Sequence, residues 1–183
     1  MKIEMGEFIT LSMLALALGM DAFSASLGIG MVPIRLKKIF YIGLIVGGFH
    51  VSLPLLGILI GRFVTETFGE IAALVGGLLL IIAGSQMIIA FFQKQEEEKV
   101  VPSGWQLLLF ALIVSLDSFS VGLTLGIYGA KVLLVLFLFG SMSTGLTWSG
   151  LLIGKKVGKW FGAYSEAFGG CVLLAFGLKL LFL

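Results

Sequence analysis

Met20-Asp21-Ala22-Phe23-Ser24-Ala25-Ser26-Leu27 returns 96 residues later as Leu116-Asp117-Ser118-Phe119-Ser120-Val121-Gly122-Leu123. Each copy puts one carboxylate inside an apolar run. An aspartate at the centre of a membrane helix costs roughly 2.5–3.5 kcal/mol on insertion scales. Two of them in equivalent places predict a polar site inside the bilayer.

The surrounding composition supports a membrane setting. The chain of 183 residues is 59% hydrophobic and 12% charged, and its mean hydropathy is +1.16. Soluble domains lie nearer 25% charged. A net charge of +2 gives no argument for a nucleic-acid partner. Cys171, the single cysteine, excludes a disulfide framework and a thiolate metal site; its position in an apolar run predicts a small buried hydrophobe. The apolar run from Phe8 to Ile29 exceeds a cleavable signal core and is expected to stay as a membrane span.

About 20 apolar residues cross the hydrocarbon as a helix. Breaking the chain at charged and Pro/Gly-marked points predicts six spans, near 7–30, 38–61, 69–92, 105–129, 131–154 and 162–183. The fold class is therefore all-α and integral to the membrane. Residues 1–92 form one three-helix unit and 104–183 a second. Between them, residues 93–103 with Glu96-Glu97-Glu98 read as an acidic cytoplasmic linker. The first, third and fifth connections hold eight Lys or Arg and the second and fourth hold two, Arg62 and Lys131. The positive-inside rule then predicts cytoplasmic odd-numbered loops and both termini outside, in a multi-pass protein of the cell membrane.

The repeat extends beyond the aspartates. Gly57-Ile58-Leu59-Ile60-Gly61-Arg62 aligns with Gly150-Leu151-Leu152-Ile153-Gly154-Lys155, and Gly76-Gly77 and Gly84 align with Gly169-Gly170 and Gly177. Three spans per unit is an odd number, so the second unit is expected to enter the membrane upside down. Inverted repeats build many secondary transporters, with sites near the midplane at the repeat interface.

Asp21, Ser24 and Gly28 share one helical face at i, i+3 and i+7, and Asp117, Ser120 and Thr124 repeat the pattern. Carboxylate and hydroxyl oxygens suit Mg²⁺, Ca²⁺ or Mn²⁺. Two facing aspartates would neutralise one divalent ion. The alternative is packing, with each aspartate protonated or bonded to helix backbone. His50, the single histidine, is either a ligand, a proton carrier or a structural hydrogen-bonding group; Ser143 is its repeat counterpart. Pro54 removes a helix hydrogen bond near it. Met13, Met20 and Met142 read as core residues, Gln86 as a contact between helices, and Lys179 as a snorkelling side chain.

Leu18-Gly19-Met20-Asp21-Ala22-Phe23, its second copy Ser115-Leu116-Asp117-Ser118, and Pro54-Leu55-Leu56-Gly57 resemble the bacterial manganese efflux pump family over essentially the whole chain. The resemblance implies a small six-span exporter of two inverted halves, carrying Mn²⁺ across the cytoplasmic membrane with Asp21 and Asp117 in the translocation site. Some members have an acidic residue where this chain has His50. The candidate metal-binding set is then Asp21, Asp117, Ser24, Ser120 and His50. No cofactor and no enzymatic activity are expected; Mn²⁺ enters as transported substrate, with protons as a candidate counter-ion and the lipid bilayer as surroundings. No Gly-x-x-x-x-Gly-Lys-Ser/Thr loop occurs, so an ion gradient, the membrane potential or a separate subunit would drive transport. Export of another divalent cation or a small amino acid, and a non-transporting membrane role, remain the other readings.

Overall fold

The structure is a computed structural model that describes residues 5–68, 70–92 and 101–182, without side chains for 68, 70–73, 75, 87, 90, 91, 155, 157–166, 180 and 182. The acidic run Glu96-Glu97-Glu98 and most of the linker around it lie outside the described residues. Every element among the described residues is helical: α1 (Met5–Gly30), α2 (Leu36–Phe68), α3 (Glu70–Phe92), α4 (Trp105–Val114), α5 (Leu116–Ile127) and α6 (Val132–Phe182). Among the described residues three helical stretches are long and apolar enough to cross a membrane: Met5–Gly30, Leu36–Thr67 and Val132–Gly154. Helices α4 and α5 together make a fourth, bent by 44°.

Apolar side chains gain little by leaving lipid for a helix interface, so packing in a membrane depends on close backbone approach. Glycines supply it here. A methyl group at Gly57 would lie 2.4 Å from Phe119 O, and one at Gly61 would lie 2.2 Å from Leu123 O. Their repeat counterparts meet the counterpart carbonyls: a methyl group at Gly150 would lie 2.6 Å from Phe23 O, and one at Gly154 2.5 Å from Leu27 O. Helix α2 thus runs parallel to α5, and the first part of α6 runs parallel to α1. Gly84 meets Gly170, and Gly77 meets Gly177 and Leu181, so α3 and the last part of α6 are antiparallel. Gly43 faces Trp148 and Gly47 faces Thr144, which sets α2 antiparallel to the first part of α6.

The two predicted spans 131–154 and 162–183 fall within one helical element of 51 residues. A straight helix of that length measures about 75 Å, more than twice the hydrocarbon thickness. Gly76 packs on Ile127, just before α6 begins, while the adjacent Gly77 packs on Leu181 near its end. The axis of α6 must therefore double back between Gly154 and Gly170, within a single helical element.

At one end of the bundle Lys131 pairs with Glu7, and Arg62 donates to Ala130 O at 3.4 Å. The start of α1, the distal part of α2 and the start of α6 therefore share that end. Nearer the opposite end, Trp148 stacks on Phe40 with ring centroids 5.5 Å apart.

Three side-chain expectations change. Cys171 is exposed, on a side of α6 away from the glycine contacts of Gly170 and Gly177, where lipid accommodates a weakly polar thiol. Met13 and Met142 are also exposed, at 45% and 36%, and so are not core residues. Gln86 is likewise exposed, as is Lys179 in the last turn of α6.

Gly122→Ala should destabilise the protein by about 1–3 kcal/mol, because its new methyl would lie 2.5 Å from the backbone of Pro54. Gly48→Ala, with nothing within 4 Å of the added group, should stay within about 0.5 kcal/mol of wild type. Reversible unfolding in detergent compares them.

Candidate metal-transport site

The second aspartate copy sits at a break in its helix. Ser115 joins α4 to α5 with φ −103° and ψ 1°, in the sparsely populated bridge region of backbone space. Helix α5 restarts at Leu116, so Asp117 lies in its first turn, where backbone amides favour a negative charge. The Ser118 N–H donates to Asp117 Oδ1 at 2.7 Å. The second oxygen, Asp117 Oδ2, is buried and has no hydrogen-bond partner among the described residues. Asp21, by contrast, lies inside the unbroken α1, where Gly19 takes the place of Ser115 and leaves room for Leu146.

His50 is fully buried on α2. Its Nδ1 lies 3.0 Å from Val46 O and 2.8 Å from Ser115 Oγ. A carbonyl can only accept, so the contact with Val46 is a hydrogen bond in the tautomer with the proton on Nδ1; in the other tautomer Nδ1 accepts from Ser115 Oγ. In the first tautomer the lone pair is on Nε2, which is buried with no partner among the described residues. Metal-binding histidines characteristically donate their other ring N–H to such a carbonyl. Pro54 has no N–H for the carbonyl of His50 one turn earlier, and its own backbone packs on Gly122.

Helix α1 packs chiefly on α6, and α5 on α2 and α3. Thr124, on the Asp117 face, donates to Gly76 O of α3 at 3.0 Å. Following the contacts from α5 to α2, from α2 to α6 and from α6 to α1 gives relative depths. At 1.5 Å per residue, Asp21 and Asp117 lie within about one helical turn of the same depth. His50, Ser115 and Ser143 occupy that same level. Ser24 lies one turn beyond Asp21, and Ser120 one turn beyond Asp117, in opposite senses along the bundle. Both serines are half-buried.

Among the described residues no three His, Cys, Asp or Glu side chains cluster as a metal site. The available donors are the two aspartates, hydroxyls and one imidazole. An open groove of about 570 Å³ between α2 and α6, lined mainly by apolar residues such as Val51 and Phe137, holds none of the aspartates or the imidazole and only the hydroxyls of Ser141 and Thr144. Sequence reasoning did not single out Ser115 as the partner of His50. Nor did it find Ser26 and Thr147, which with Ser143 are fully buried polar residues.

The family model described as "Putative manganese efflux pump" matches residues 33–181. The chain belongs to this family. A relative from Geobacillus thermodenitrificans named "Putative manganese efflux pump MntP" is 56% identical over 97% of both chains. A Bacillus licheniformis relative of the same name is 56% identical over 96% of this chain and 95% of its own. One from Bacillus cereus is 47% identical over 96% of this chain and 97% of its own. No solved structure matches.

Ser115→Ala removes the hydroxyl from His50 Nδ1 but leaves the Val46 carbonyl in place. The loss should be about 1 kcal/mol, read as a lowered unfolding midpoint. His50→Phe removes both contacts of Nδ1, so it should cost more.

Proposed function

We propose that the protein is a secondary-active exporter of Mn²⁺ across the cytoplasmic membrane, working by alternating access around a mid-depth site. Asp21 and Asp117 hold the ion, and Ser24, Ser120 and His50 complete its surroundings. The observation that carries this site is the buried Asp117 Oδ2 with no partner among the described residues. A carboxylate oxygen in that setting is costly unless a cation or proton meets it.

Six crossings follow if α6 supplies two, α2 and α3 one each, α1 one, and the α4–α5 pair one. The recurrence of the Gly57 and Gly61 contacts at Gly150 and Gly154 supports two halves of inverted orientation. The shared end formed by Glu7, Arg62, Ala130 and Lys131 fits a common face for the N-terminus and the even-numbered connections. The loop cations then turn that face outward.

The relatives' names specify manganese, and the donor types fit it. Carboxylate and hydroxyl oxygens suit Mg²⁺, Ca²⁺ and Mn²⁺, whereas imidazole draws transition metals. A set combining both favours Mn²⁺ over Mg²⁺ and Ca²⁺. An amino-acid substrate would need a buried cation for its carboxylate. The described lysines and arginines are exposed or half-buried and lie towards helix ends or, for Lys156, where α6 reverses.

With two aspartates ionised, one Mn²⁺ neutralises the site; with both protonated, the site is neutral without metal. Exchange of one Mn²⁺ for two protons therefore never leaves an uncompensated charge in the bilayer. Protons are accordingly the counter-ion in this account.

In a manganese-sensitive strain lacking its own exporter, wild type should restore growth and lower cellular manganese. Asp21→Asn and Asp117→Asn, made at equal abundance, should each reduce export at least about a hundredfold, by losing a charged ligand of the ion. Equal rescue by all three would sink the site. In proteoliposomes, collapsing the proton gradient should slow export; a rate that ignores the gradient removes the antiport.

A further inference from the structure

Many helical hydroxyls among the described residues satisfy themselves locally. Among the described residues seven Ser or Thr side chains besides Thr124 donate to the carbonyl four residues earlier, including Ser52, Thr144 and Ser149. This back-bonding is the ordinary resort of a hydroxyl in an apolar helix. Ser26, Ser143 and Thr147 have the same option and do not use it. All three are fully buried, at 0% exposure, and none has a hydrogen-bond partner among the described residues.

They also share one seam. Ser143, Thr147, Gly150 and Gly154 fall at i, i+4, i+7 and i+11 of α6, hence on one face. Gly150 and Gly154 place that face against α1. Ser26 lies on the opposing face, where a methyl at Gly150 would come 2.9 Å from Ser26 Cβ. The row begins at the depth of the aspartates and of His50, and runs towards the end of the bundle where Gly30 meets Gly150, Leu151 and Gly154. Its repeat counterparts make no such row. Ser143 corresponds to His50, Thr147 to Pro54 and Ser26 to Gly122, and there Pro54 and Gly122 meet backbone to backbone.

We propose that Ser143, Thr147 and Ser26 form a transit row for a hydrated divalent cation, joining the mid-depth aspartates to the Gly30–Gly154 end of the bundle. This rests on the reading of the protein as a Mn²⁺ exporter. Neutral hydroxyls are suited to passage rather than capture. They accept hydrogen bonds from the waters a divalent ion keeps, without the charge that would trap it. A hydroxyl that is unpartnered in the dry helix interface is satisfied by those waters. In the present conformation Gly150 and Gly154 close against α1 beyond Ser26. The row therefore opens when α1 and the first part of α6 separate. Because the two halves differ in chemistry here, the two access paths differ as well: a hydroxyl row leads to one end, and a proline–glycine contact bars the other.

The test uses the full-length protein in proteoliposomes. Thr147→Val and Ser143→Ala should lower the Mn²⁺ transport rate about tenfold together, as expected for the loss of hydrogen bonds of ordinary strength. Their unfolding midpoints should be unchanged or raised, because unpartnered hydroxyls are removed. Unchanged transport, or lowered midpoints with unchanged transport, would overturn the row and reveal packing groups. A second arm does not depend on the substrate. In a Cys171→Ser background, Thr147→Cys and Ser143→Cys should react with a small cationic methanethiosulfonate about tenfold faster than Val121→Cys, because thiolates react only where water reaches them. Equal, slow reaction at all three positions would also overturn it. If wild type moves no Mn²⁺, the exporter reading falls while the cysteine rates still decide whether the row is hydrated.

Discussion

Backbone-to-backbone contact at glycine is the constraint on which this structure depends. In lipid the hydrophobic effect does not drive helices together, and dispersion at short range has to do so. Gly57, Gly61 and Gly122 bring α2 and α5 together, and Gly150, Gly154 and Gly30 bring α6 and α1 together. Such contacts fix register to within a fraction of a turn, because a methyl group at any of these positions would strike a carbonyl or an α-carbon. The register in turn fixes depth. That is how aspartates 96 residues apart in sequence reach nearly the same level of the bundle.

The polar residues at that level are treated differently by the two halves. Asp117 lies at a broken helix, with a serine in the bridge region beside it and a buried histidine bonded to that serine. Asp21 lies in continuous helix beside a glycine. In the proposed exporter, a site made from one broken and one continuous helix can favour different states on its two sides. Alternating access requires such a difference, since a ligand shifts an equilibrium only through unequal affinity for the two conformations. The buried Asp117 Oδ2 and His50 Nε2 are the most exposed to this choice, having no partner among the described residues.

Much of the fold was legible because lipid leaves so few solutions. Predicted span 7–30 corresponds closely to Met5–Gly30, which is long and apolar enough to cross a membrane, and the bounds of predicted span 69–92 match helix Glu70–Phe92. Helix α2 runs beyond its predicted end, through Arg62 and Glu66 to Phe68, because exposed charges do not end a helix outside the apolar zone. The break at Ser115 was illegible. No proline or glycine marks it, and the glycine at the matching position, Gly19, sits in unbroken helix. Pro54 does the reverse and stays inside α2, where close packing on Gly122 holds it. Three lysines interrupt the apolar pattern where α6 turns and so predict a loop there, whereas α6 is one helical element from Val132 to Phe182. At the site, the aspartates announced themselves by charge. The partner of His50 and the unpartnered hydroxyls did not, because serine and threonine are common in membrane helices and only their bonding distinguishes them.

The central claim is that the two halves build one Mn²⁺ site between them. Calorimetric titration of the purified protein with Mn²⁺ tests it most directly, by counting sites in wild type and in chains lacking a single aspartate. The account predicts one ion per chain and loss of that binding when either Asp21 or Asp117 is replaced. Two ions per wild-type chain, with one retained after either replacement, would mean two separate half-sites and would contradict it.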